Sequence, residues 1–343
     1  MNAFADTETK PVAKVAAMLP VPKLPHDRWQ PLEIVFWLLP IAAYFAFPGY
    51  LVLISQIMIV GLFAVSLDLI LGYAGIVSLG HAAFFGLGAY TAGLLSVHGW
   101  GEPLSGLLAG GVVAGIAGLL TAFLVVRGQD LTRLMVTLGI GLMLFEAANK
   151  AAFITGGVDG LSGMMVGKLF GTFEFDLNGN VAFWYSFAVL FIVFAVLRRV
   201  VKSPFGLSLI GIREGVRRMP SLGVNVNRRL VAVFTLGAVV AGLAGALLAQ
   251  TTQFVGLDSL GFPRSAELVI MLVLGGTGRL YGALVGAAVF MLAQDYIAGL
   301  NPTYWQFYIG LLLVLIVLFA RGGILGGLER LLQLVKPQRK EQP

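Results

Sequence analysis

The sequence predicts an all-α, polytopic transmembrane helix bundle of about ten membrane segments, some broken or re-entrant, with a helix in its largest cytoplasmic loop. Three observations carry this. Of 343 residues, 58% are hydrophobic and only 12% charged, against roughly 25% charged in an ordinary soluble domain. Apolar runs recur near the ~20 residues a helix needs to cross the hydrocarbon core with its backbone groups satisfied internally. Lysine and arginine gather in a few of the connecting loops, as the positive-inside rule requires.

Residues 1–32, with Pro11, Pro20, Pro22 and Pro25 among mixed charges, read as a flexible cytoplasmic tail. Residues 33–328 form the membrane domain and 329–343 a second cytoplasmic tail. The segments run at 33–51, 53–71, 76–97, 104–126, 134–154, 182–197, 230–250, 266–274, 283–300 and 304–320. The eighth is short and is followed by Gly275, Gly276, Gly278 and Gly282, the pattern of a broken or re-entrant element. Small residues four apart (Gly106 and Gly110, Gly111 and Gly115, Ala241 and Gly245, Gly282 and Gly286) allow helices to approach closely inside lipid.

Charge sets the orientation. The stretch 198–229 holds Arg198, Arg199, Lys202, Arg213, Arg217, Arg218, Arg228 and Arg229 against Glu214 alone, so it faces the cytoplasm. Counting spans outward from it places both termini and the 127–133 loop inside, and 156–181 and 251–264 outside. The outside loops hold only Lys168 and Arg264 as basic residues. The net charge of +6 therefore reflects topology rather than nucleic-acid binding.

Several functions are excluded. There are no cysteines, and His26, His81 and His98 are scattered, so no metal site is expected. No G-x-x-x-x-G-K-[ST], H-E-x-x-H or G-x-S-x-G pattern occurs. The chain is not expected to hydrolyse ATP, to be an enzyme, or to carry a catalytic residue or cofactor.

Four features remain. The cytoplasmic loop 202–229 is too long for a turn and too apolar for a linker. Ser203 before Pro204 reads as an N-cap with proline in the first turn, and Leu207, Ile210 and Glu214 share a face of the helix that follows. That face suits a docking partner or the lipid headgroup layer equally. Within 72–93, glycines at 72, 75, 80, 86, 88 and 93 loosen a membrane segment, which either exposes backbone to a solute or serves close packing. Ser78, Gly80 and His81 are its candidates for a translocation path. Glu146 and Lys150, four apart, form an expected intramembrane ion pair. Asp68 and Asp295 lie near span ends, where interfacial water is within reach, and receive no role.

The motifs Gly72-YAGIVSLGHAAFFGLGAY, Thr155-GGVDGL, Phe205-GLSLIGIRE, Leu222-GVNV and Leu274-GGTGRLYGALVGA resemble, in order, those of LivM-like permeases of the branched-chain amino acid ABC importer family. The resemblance covers roughly 32–328. It implies a bacterial inner-membrane permease working with a LivH-like second permease subunit, two cytoplasmic ABC ATPases and a periplasmic solute-binding protein. The alternative reading is a self-sufficient secondary transporter or channel. The resemblance also makes the loop helix a coupling helix that fits an ATPase groove, with Arg213, Glu214, Leu222 and Gly223 matching the pattern. Relatives usually continue with an acidic, alanine-rich stretch where this chain has Gly215-VRRMPS. Pro220 should end or kink the helix, and Arg217 and Arg218 imply an unusually acidic ATPase surface. Relatives also tend to place a glutamate where this chain has Leu142.

Overall fold

The computed structural model describes residues 31–300 apart from 129, 170 and 177, together with isolated positions between 302 and 326. Except for Pro31 and Leu32, the two expected tails lie outside the described residues, as does most of the tenth segment at 304–320.

The helices follow the predicted order. Apart from a single turn at Ala152–Thr155, they are α1 (Pro31–Ala46), α2 (Leu51–Asp68), α3 (Ala82–Val97), α4 (Pro103–Arg127), α5 (Asp130–Lys150), α6 (Asn180–Lys202), α7 (Pro204–Gly215), α8 (Val226–Thr252), α9 (Phe262–Gly275) and α10 (Leu280–Leu300). Among the described residues, six helical stretches are long and apolar enough to cross a membrane, while α1 and α3 are shorter apolar helices. At 14 residues, α9 reaches only about 21 Å, short of a ~30 Å hydrocarbon core. It is longer than the predicted 266–274 because Pro263 starts it in the first turn; Gly276, at φ +105°, ends it.

The third predicted segment departs more. Helix α2 continues as a π-helical turn, Leu69–Tyr73, Gly75 takes a φ of +71°, and α3 begins only at Ala82. The residues between run irregularly, and their burial alternates: Ile76, Ser78 and Gly80 are buried while Val77 is exposed and Leu79 partly so. The α3 start is tied down by the Ala82 amide, which donates to Ser265 Oγ of α9 at 2.9 Å.

Helix α8 is the centre of the bundle, packed against α3 and α4. The predicted small residues of α4 and α8 sit at these contacts: a Cβ on Gly245 would enter the Phe85 carbonyl, and those on Gly110 and Gly111 would press on Ala246 and Leu243. With lipid outside as apolar as the helices themselves, such close approach supplies the packing that water-driven burial cannot.

Contacts join loops that the charge count assigns to the same side. On the arginine-rich face, Arg198 Nη2 meets Glu33 Oε2 at 2.8 Å, joining the end of α6 to the start of α1. On the opposite face, the Leu161 amide donates to the Val255 carbonyl at 2.8 Å and that of Gly167 to Gly101 at 2.7 Å. The two basic residues there are both neutralised, Lys168 by Glu174 at 2.7 Å and Arg264 by Glu267 at 3.0 Å. The hydrogen bond from Lys168 holds the Glu174 carboxyl below the usual carboxylate range.

Candidate functional site

The loop between α6 and α8 folds as the sequence predicts. Ser203 Oγ caps α7 by accepting from the Phe205 amide at 3.2 Å, with Pro204 in the first turn. Gly206 is needed at the sharp corner, since a Cβ there would enter the Val201 carbonyl. The helix ends at Gly215, five residues before Pro220, which instead opens a short 3-10 turn, Pro220–Leu222. Gly223 closes that turn at φ +77°, in the left-handed region that glycine adopts without strain. Inward, Leu209, Ile212 and Met219 are buried. Outward, Leu207, Val216 and Leu222 are exposed, the last by 74%, beside exposed Glu214, Arg217 and Arg218.

Arg213 behaves differently from its neighbour Glu214. Its Nη1 donates to the Gly72 carbonyl at the end of the π-helical turn, and its stem lies where a Cβ on Gly75 would be, 2.9 Å away. Beside it, Asp68 Oδ1 accepts from the Gly278 amide at 2.7 Å. A side chain on Gly72 would collide with both Asp68 Oδ1 and the Gly278 amide. A side chain on Gly278 would meet Arg213 Nη1 at 3.0 Å. Three elements distant in sequence thus meet at one joint: the α2 terminus, the α7 helix and the α9–α10 turn. The sequence reading placed Asp68 near interfacial water; it is instead fully buried, because the glycine-lined turns close over it. Its clearest signal was a lone carboxylate in a long apolar run.

Ser78 and His81 are also fully buried, and Gly80 packs so closely that a Cβ would enter the Thr137 carbonyl of α5. His81 Nε2 lies 2.8 Å from Ser66 Oγ, and its ring stacks on Phe63 with centroids 5.7 Å apart. Among the described residues, neither His81 Nδ1 nor Ser78 Oγ has a hydrogen-bond partner. On this segment Gly75 and Val77 are exposed and Leu79 is partly so.

Glu146 and Lys150 do pair, at 3.8 Å, with side chains 54% and 78% exposed. They lie on α5, few of whose residues are buried, so this helix presents most of its length to whatever surrounds the chain. Asp295 is exposed near the end of α10.

Residues 49–317 match the family described as branched-chain amino acid transport system / permease component. The high-affinity branched-chain amino acid transport system permease protein LivM of Salmonella typhimurium is 30% identical, over 83% of this chain and 72% of the relative. The L-arabinose ABC transporter permease protein AraH of Azospirillum brasilense is 33% identical over 62% of each. The permease protein LivH of Escherichia coli is 23% identical over 77% of this chain and 90% of its own. No solved structure matches the chain.

Proposed function

Because the chain belongs to the family of branched-chain amino acid transport system permease components, we propose how its parts divide the work of such a permease. It is the transmembrane permease subunit of an ATP-binding-cassette importer, moving branched-chain amino acids or related small polar solutes. The arginine-rich face lies in the cytosol, where one of the two ATPase subunits grips the outward edge of the α7 loop through Leu207, Glu214, Val216 and Leu222. Arg217 and Arg218 select an acidic groove on that partner.

The observation that carries this reading is the joint. A loop whose outer edge is free to dock while its inner edge is tied, through Arg213, to the end of α2 and beside the α9–α10 turn is built to transmit a displacement. ATP-driven movement of α7 would shift Gly72 and Gly278 together, and with them the irregular segment 74–81. That segment lines the path through Val77 and Leu79, with Ser78, Gly80 and His81 fixing it from behind. Discontinuous spans of this kind form solute paths because their backbone groups are freed from helical bonding.

A LivH-like permease subunit covers α5, where the Glu146–Lys150 pair would otherwise face lipid at a cost. A solute-binding protein docks on the opposite face. The test is reconstitution. Vesicles holding both permeases, the ATPases and the binding protein should accumulate solute only with ATP, and this chain alone should pass none. Gradient-driven flux through the isolated chain would instead establish a self-sufficient transporter.

A further inference from the structure

On the face opposite the joint, the outer parts of α2, α8 and α10 and the 252–264 segment enclose a cavity of about 290 Å³, close to the ~300 Å³ lower bound of small-ligand pockets. Its lining divides by chemistry. Val60, Leu248 and Met291 supply an apolar wall, whereas Asp258, Arg264 and Gln294 supply polar groups.

Each polar group has unused capacity. Asp258 is exposed and forms no ion pair among the described residues. The side-chain oxygen of Gln294 is buried without a hydrogen-bond partner, a state that costs stability unless a donor is supplied from outside the fold. Arg264 uses Nη1 on Glu267 at 3.0 Å, and its guanidinium stands 6.0 Å from the centre of the Phe85 ring. A guanidinium has five N–H donors, so this pairing leaves most of them for a second acceptor.

We propose that this cavity is the receiving site for a zwitterionic α-amino acid. The ammonium group donates to the Asp258 carboxylate and the Gln294 amide oxygen, the carboxylate accepts from the remaining Arg264 donors, and an aliphatic side chain rests against Val60, Leu248 and Met291. An uncharged sugar or urea would leave the Asp258 charge unpaired, and a sugar's hydroxyls would be desolvated against the apolar wall. The site rests on the permease reading above and adds to it where the solute is first held and which charges select it.

The assembled importer, with both permeases, its ATPases and its binding protein, is reconstituted in vesicles and ATP-driven uptake of L-leucine is measured. Asp258→Asn and Arg264→Gln should each lower uptake about tenfold or more, the scale of losing one charged hydrogen bond. Asp258→Glu should retain most of the uptake. Because Asp258 is exposed and makes no ion pair, its substitution leaves the fold intact, so the result does not depend on the Arg264 variant assembling. Wild-type vesicles that take up no leucine with ATP would overturn the amino-acid importer reading. Active wild type with Asp258→Asn within twofold of it, or equal losses for Asp258→Glu and Asp258→Asn, would overturn the receiving site alone.

Discussion

Arg213→Ala separates transmission from docking. The substitution removes the guanidinium that donates to the Gly72 carbonyl and leaves the outward residues Leu207, Glu214 and Leu222 in place. A hydrogen bond from a charged group contributes about 1.5–3 kcal/mol, and Arg213 is exposed enough for the lower end to apply. About 1.5 kcal/mol is slightly more than a tenfold change in an equilibrium constant. If the joint favours the conformation in which α7 and α2 move together, its loss lowers the population of that conformation about tenfold. Solute moved per ATP hydrolysed should then fall by about that factor in reconstituted vesicles, while the ATPases still co-purify. Glu214→Ala, whose side chain points outward, should act the other way, weakening ATPase retention. Transport per ATP unchanged in Arg213→Ala would refute the assignment of Arg213 to the joint.

Other substitutions test the frame around this joint. Gly80→Ala drives a Cβ into the Thr137 carbonyl, and overpacking of this kind costs about 1–3 kcal/mol; a lowered thermal unfolding temperature of the detergent-purified chain should report it. Arg198→Ala removes the guanidinium that meets Glu33 at 2.8 Å from a side chain only 4% exposed, and breaking a buried pair costs about 3–5 kcal/mol; the same thermal assay should show the larger loss. Lys150→Ala leaves Glu146 unpaired on the exposed side of α5, and co-purification of the second permease should drop. Restoring neutrality with Glu146→Gln in the same chain should recover part of it.

The class and the course of the chain were legible in the residues alone, because lipid imposes constraints that are local. A helix must be long and apolar enough to cross, charges must stay on one side, and a serine before a proline must cap the helix it opens; 104–126, 230–250 and the Ser203 cap are legible for those reasons. Gly75 and Gly80 announced a loosened third span, yet composition could not say that the chain would abandon the helix until Ala82. Meetings between residues far apart in sequence emerged with the folded bundle: Asp68 with Gly278, Arg213 with Gly72, Arg198 with Glu33. Arg198 reads as one more cytoplasmic charge until α1 is packed beside α6, and Asp68 reads as an interfacial carboxylate until two glycine turns close around it. Burial and partnership are properties of the assembled bundle, and no periodicity within one segment encodes which other segment will supply the opposite charge.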